Sequence, residues 1–272
     1  MTLKLNPEVG SIQQTLFLPL WGRAVESQKK HPRLVDAAAV NIIERVNFDF
    51  SQAAANLDEI TQIAWISRSL ICDRVIRNFI SAYPNGSVVN IGCGLDTTFD
   101  RVDNGKLRWY DLDLPDVIAF RTQFIPEESR RVAIASSFLE QGWLDKIDAE
   151  QGLLFMAAGV FYFFEPERIQ TFFLKLREKF PGCEIIFDVA SEIGVKMANK
   201  KVIESSGLDE RSQLVWGLKS VKEILGWDPR IKLIRKYYYF RTLRIGPRNL
   251  LMGTLSDLLG IQYLLHLKIL EN

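Results

Sequence analysis

Cysteine is scarce in this chain. Cys72, Cys93 and Cys183 are odd in number, widely spaced and without a CxxC pair. That excludes a disulfide framework and a zinc cluster, and it fits reduced thiols in a cytosolic protein. Cys93 lies in a glycine turn, where a packed small side chain is the simpler reading than a nucleophile. Histidine is scarcer still, with His31 and His266 alone. The longest apolar run, Gly152 to Phe164, is too short to span a bilayer as a helix and fits a buried strand. Near the N-terminus, Thr15-Leu16-Phe17-Leu18-Pro19-Leu20-Trp21 is short and interrupted by proline, so no signal peptide is read there. Charge of one sign is also missing: 34 Lys and Arg face 33 Asp and Glu, for a net +1. Bulk charge therefore does not recruit nucleic acid. The expectation is a soluble, cytoplasmic protein with neither a membrane nor a nucleic-acid partner.

One segment runs against the balanced charge. From Arg230 to Arg248 there are seven Lys or Arg and no acid, interleaved with Tyr237-Tyr238-Tyr239-Phe240. An edge strand whose basic residues face solvent and discourage edge pairing explains it more simply than a base-stacking surface.

What is present is ordinary globular material: 272 residues, 47% hydrophobic and 25% charged. Residues 1–60 read as a helical N-terminal extension, with an amphipathic helix beginning at Asp36, and such an extension either covers a pocket in the domain of 61–272 or only adds core to it. A long helix is predicted over 61–83, closed by the Pro84-Asn85-Gly86 turn. Strands are predicted at 87–91, 107–112, 131–135, 152–158 and 183–189, with a helix at 166–180 between Pro166 and Pro181-Gly182. The segment 190–230 reads as helical and polar. Two last strands, 231–243 and 261–270, have at most three helical turns between them and are expected to pair antiparallel at the sheet edge. The fold class is α/β: a Rossmann-like, mainly parallel seven-stranded sheet with an antiparallel edge pair, helices on both faces and a helical N-terminal addition.

The chemistry is concentrated in Val88-Val89-Asn90-Ile91-Gly92-Cys93-Gly94-Leu95-Asp96-Thr97-Thr98. A strand runs into two glycines and then a helix, and a second strand follows with Asp111 and Asp113 at its end. That is the front half of a nucleotide-binding unit. Thr97 stands where a dinucleotide fingerprint needs its third glycine, and no GxxxxGK[ST] occurs, so neither a dinucleotide site nor a P-loop is complete. A ribose-containing ligand without a pyrophosphate to cradle, such as S-adenosylmethionine, suits this pattern.

The string Gly92-Cys93-Gly94-Leu95-Asp96-Thr97-Thr98-Phe99-Asp100-Arg101 resembles the first motif of the leucine carboxyl methyltransferase family. Tyr110-Asp111-Leu112-Asp113-Leu114-Pro115 is similar to that family's acidic second-strand motif, and Ile63-Ala64-Trp65-Ile66-Ser67-Arg68 to its preceding helix. The resemblance covers roughly residues 35–190. It implies S-adenosylmethionine as cofactor and methyl transfer to an oxygen. It also implies roles: Arg68 for the carboxylate of the methionine moiety, Gly92 and Gly94 for close backbone approach, Asp113 for the ribose hydroxyls, and Ser137 and Phe138 beside the adenine. Ser137 departs from the acid usual there. Ala158 and Phe163 stand where the family pattern has glutamate and tyrosine, and Tyr162 falls one place early. Strand neighbours point to opposite faces, so Tyr162 cannot simply take the place of that tyrosine. Tyr162 is the candidate substrate contact. Plainer rivals stand beside these roles: Arg68 as a surface arginine paired with Asp73, Gly92 and Gly94 as serving only a tight turn, Asp113 as a turn former before Pro115, Tyr162 as a core aromatic. The acceptor is read as a small-molecule carboxylate or hydroxyl. A protein C-terminal carboxylate and a non-catalytic cofactor-binding role are the alternatives.

Overall fold

A computed structural model describes residues 11–51, 58–200, 213–241, 243 and 245–271. Three helices come first: α1 (Ser11–Ser27), α2 (Ala37–Arg45) and α3 (Glu59–Ala82). The carboxylate of Asp58 accepts from the Thr61 amide at 3.0 Å and caps α3. Then strands and helices alternate: β1 (Ser87–Ile91), α4 (Thr98–Val102), β2 (Arg108–Asp113), α5 (Pro115–Arg121), β3 (Arg131–Ala135), β4 (Leu153–Ala157), α6 (Pro166–Lys179), β5 (Glu184–Ala190) and α7 (Glu192–Ala198). The chain ends with α8 (Val221–Leu225), β6 (Ile231–Tyr238), α9 (Pro247–Leu259) and β7 (Gln262–Ile269).

Among the described residues the strands form one seven-stranded sheet in the order β3-β2-β1-β4-β5-β7-β6. β1 to β5 pair parallel, and β7 runs antiparallel between β5 and β6. The order reverses between β1 and β4, which opens a crevice at their carboxyl ends. The period-two alternation of strand side chains divides the core. Val89, Ile91, Phe155, Phe187 and Leu265 face one side, against α6 through Ile169, Phe172, Phe173 and Leu176. Val88, Leu154, Met156, Ile186 and Leu264 face the other, against the apolar stripe of α3. A third cluster joins Phe17, Leu20 and Ala24 of α1 to Ala39 and Ile42 of α2 and to Leu95 of the glycine loop.

Two expectations change. The segment between the last two strands forms α9, a helix of 13 residues that packs against α3 and β7, and the antiparallel pair forms across it. The described part of the 190–230 segment is less helical than its composition suggests. Residues 201–212 lie outside those described, while Trp216 and Trp227, stacked at 5.9 Å, hold the following stretch against Phe173 of α6. Aromatic burial there outweighs local polar composition. In β6 and just after it, Tyr237, Tyr239 and Phe240 are buried, and Lys236 and Arg241 lie over the Tyr238 ring. Among the described residues no helix is long and apolar enough to cross a membrane, and no cluster of histidine, cysteine or acidic side chains is arranged to hold a metal ion.

Candidate active site

The loop after β1 is built around two glycines. Gly92 has φ +61°, and a Cβ there would lie 2.5 Å from Cγ2 of Val160. Gly94 has φ +44°, and a Cβ there would meet Cδ2 of Leu16 at 2.8 Å. Only glycine fits this left-handed, crowded path. The loop is then fixed by charged side chains. Asp113 at the end of β2 accepts from the Gly94 amide at 2.8 Å. Arg121 donates to the Gly94 carbonyl at 2.8 Å, and Arg23 of α1 donates to the Leu95 carbonyl at 3.1 Å.

The residues after the glycines are anchors. Thr97 Oγ1 donates to Asp36 at 2.6 Å. Arg101 donates to Asp36 at 2.7 Å and to Asp73 at 2.9 Å. Asp36 also caps α2 at the Ala39 amide and pairs with Arg23, both at 2.9 Å. One buried carboxylate thus ties the first two helices to the loop. Beneath it, Asp111 accepts from Arg121 at 2.8 Å, Arg131 at 2.9 Å and the Trp109 indole at 2.9 Å. Burial works to raise the Asp111 carboxyl, but Arg121 and Arg131 outweigh it and hold it below the ordinary range. Asp96 is likewise depressed: burial opposes its charge, and Arg23 and Arg101 prevail. Burial pushes the Cys93 thiol far up, so it packs as an uncharged side chain.

A cavity of about 510 Å³ lies over this loop. Arg68, Gly92, Gly94 and Tyr162 all line it, together with Asp96, Ala158, Gly159 and Phe163. Leu16, Leu18, Pro19 and Arg23 of α1 contribute to its wall. Asp113 sits at the edge with its carboxylate on the Gly94 and Leu114 amides, each at 2.8 Å. Burial raises this carboxyl above its usual value despite those two donors. Ser137 stands at the carboxyl end of β3, its Oγ accepting from the Leu139 amide at 3.3 Å. Phe138 is packed among Phe161, Phe164 and Phe172, at 5.6, 4.9 and 5.2 Å between rings. These last three residues do not line the cavity.

Arg68 has a different partner from the one its own helix offers. Asp73 lies five residues on, off the face that i,i+3 and i,i+4 pairs share, and it belongs to Arg101. Arg68 Nη1 instead reaches Asp188 at 3.0 Å. The same carboxylate accepts from the Gly159 amide at 2.6 Å and the Tyr239 hydroxyl at 3.1 Å. Asp188 follows Ile186 by two in β5, so it faces α3 as Ile186 does. Sequence reading passed over it, although a lone acid inside Ile185-Ile186-Phe187-Asp188-Val189-Ala190 is itself a signal. Burial disfavours the charge on Arg68, and Asp188 more than restores it.

Tyr162 and Phe163 do not face opposite ways. β4 ends at Ala157, and residues 161–163 form a 3-10 turn, so the strand alternation has stopped and both rings reach the cavity. The Tyr162 hydroxyl lies 3.5 Å from Arg68 Nη1. Burial, aided by Asp188, raises the Tyr162 hydroxyl well above the usual tyrosine range, so it is protonated at neutral pH.

A family model described as leucine carboxyl methyltransferase matches residues 17–176, more than half of the chain. The chain belongs to the leucine carboxyl methyltransferase family. It is 24% identical over 223 residues to the tetracenomycin polyketide synthesis O-methyltransferase TcmP of Streptomyces glaucescens, covering 81% of this chain and 80% of that protein. It is 21% identical over 266 residues to the S-adenosyl-L-methionine-dependent methyltransferase dpfgK of Gibberella zeae, covering 89% and 88%. A crystal structure of a DUF574 family protein from Streptomyces avermitilis shares the fold, with a TM-score of 0.62 at 9% identity over 93% of this chain and 96% of that one. The protein is an S-adenosylmethionine-dependent methyltransferase. The cavity fits that cofactor: two glycines leave the loop backbone bare, and among the described residues Nε and Nη2 of Arg68 have no protein partner.

Proposed function

We propose that this methyltransferase transfers a methyl group from S-adenosylmethionine to a carboxylate or hydroxyl oxygen of a small molecule. One observation carries the reading: Arg68, Gly92, Gly94 and Tyr162 line a single cavity at the carboxyl ends of β1 and β4. In this reading Arg68 holds the methionine carboxylate, Gly92 and Gly94 admit the cofactor to the backbone, and Asp113 takes the ribose hydroxyls. Ser137 and Phe138 flank the adenine, Phe138 through its backbone, since its ring belongs to the core. Bound there, the cofactor would supply a sulfonium methyl group to the acceptor oxygen, the electron pair of its carbon–sulfur bond remaining on sulfur.

The chain's own residues position and exclude water. Asp188 holds Arg68 in place. Leu16, Leu18 and Pro19 of the N-terminal extension close over the loop, and we assign that extension, residues 1–60, as the cover of the domain 61–272. The protonated Tyr162 hydroxyl can donate to an acceptor oxygen and does not serve as a base. A carboxylate acceptor is already ionised at neutral pH and needs no base. The three buried, unpaired thiols support a reducing, cytoplasmic location.

Calorimetric titration with S-adenosylmethionine, followed by turnover with a panel of small carboxylic acids and phenols, tests the proposal. Binding with turnover of a small acid supports it. Binding with turnover only of polypeptide C-termini would replace it by the protein-carboxylate alternative, and binding without any turnover by the non-catalytic one.

A further inference from the structure

Helix α9 is inside out. With about 3.6 residues per turn, Asn249, Gly253 and Asp257 form one line, and that line faces the protein. Asn249 Nδ2 donates to Glu59 at 2.7 Å, Asp257 accepts from the Phe240 amide at 3.2 Å, and Gly253 lies against the Phe240 ring. The apolar residues face outward: Leu250, Leu251, Met252, Leu255, Leu258 and Leu259 are 48 to 67% exposed. Single exposed leucines are unremarkable, but six on one short helix are a patch.

The patch is continuous with the active-site cavity. Met252, Leu255 and Leu259 line the cavity wall, and Leu251 and Leu258 lie next to them around the helix, away from the cavity. An apolar band therefore runs from inside the site over its lip to the surface. Met197 of α7, half exposed, borders the same cavity. The cavity measures about 510 Å³, within the roughly 300–1,000 Å³ usual for a site that takes one drug-sized ligand. A cofactor and a long-chain acceptor together exceed one such ligand, so the chain of the acceptor has to leave over the lip.

Building on the methyltransferase reading, we infer that the acceptor is an amphiphile: a carboxylic acid whose flexible apolar chain leaves the cavity along α9. The band bends over a convex helix, which a flexible chain follows. A polypeptide C-terminus is a poor occupant, because among the described side chains Thr254 alone offers a hydrogen bond on the outward face of α9 and the helix backbone is satisfied internally, so peptide groups laid there would lose water without replacement. In the transfer the acid's oxygen gains the methyl group, the sulfonium becomes a neutral thioether, and the product is a neutral ester with lower affinity for water.

The test is calorimetry on the full chain with unbranched monocarboxylic acids from butanoate to tetradecanoate, with and without S-adenosylhomocysteine. Affinity is expected to rise about threefold to fourfold for each added methylene. In a Leu251→Asp/Leu258→Asp variant, whose changes lie on the surface, butanoate and S-adenosylhomocysteine should bind as before while tetradecanoate weakens about tenfold or more. Affinity independent of chain length, or the same rise in the variant, would overturn the inference. So would light scattering that finds a dimer dissolved by the two substitutions, because α9 would then belong to a second copy. Failure of S-adenosylhomocysteine to bind would remove the methyltransferase reading of the site but not the chain-length result, which is measured without it as well.

Discussion

Arg68 and Asp188 make the charge pair at the centre of the site. In the proposed cofactor site Arg68 is the charged donor to the methionine carboxylate, so in Arg68→Ala affinity for S-adenosylmethionine should fall about 10- to 150-fold by calorimetry. Asp188→Asn keeps an oxygen for the Gly159 amide but gives up the ion pair. Its expected effect is a raised KM for S-adenosylmethionine with a smaller change in kcat, because Asp188 places Arg68 and touches no reacting atom. At Gly92 a methyl group would have to enter space held by Val160 at a positive φ. Gly92→Ala should therefore cost about 1–3 kcal/mol in urea unfolding and abolish cofactor binding. At this scale the sequence was legible where a residue type answers a backbone need, as at Gly92 and Gly94. It was silent at Asp188, whose meaning comes from a helix 120 residues earlier. It misled at Tyr162, because a strand ending is a backbone event that a run of aromatic residues conceals.

Among the elements, the loop between β1 and α4 is held from three directions, by Asp36, Asp111 and Asp113. Asp36→Ala would strip the cap from α2 and leave Arg23 buried without its carboxylate. A loss of about 3–5 kcal/mol is expected, with faster proteolysis between α1 and α2 as the readout. Asp111 sets a pH dependence. Its folded value is depressed, so its contribution is complete above the ordinary aspartate value near about 4 and is lost as pH falls through the lower folded value. In urea unfolding, the gap between the native chain and Asp111→Asn should be widest near neutral pH and close below about pH 4. The order Leu95-Asp96-Thr97-Thr98-Phe99-Asp100-Arg101 thus has a mechanical sense: Thr97 and Arg101 both hold Asp36. Spacing alone exposed the string but could not name Asp36 as its partner, since 61 residues separate Asp36 from Thr97.

For the whole molecule, the parallel strands and their crossing helices could be read from periodicity, because burial on both faces leaves β1, β4 and β5 mostly apolar, without a polar alternation, the exceptions inside the strands being Asn90 and Asp188. The edge was harder. α9 presents leucines to solvent and polar residues to the core, the reverse of the pattern that identifies a surface helix, so its sequence read as weakly helical. The account as a whole rests on one ligand. Bound at a hundredfold excess over its Kd, it should stabilise the fold by about 2.7 kcal/mol and raise Tm by roughly 5–10 °C. The most direct measurement is calorimetric titration of the full chain with S-adenosylmethionine. One molecule bound per chain, lost in Gly92→Ala and weakened in Arg68→Ala, is the predicted result. An absence of binding at millimolar cofactor in the native chain would contradict it.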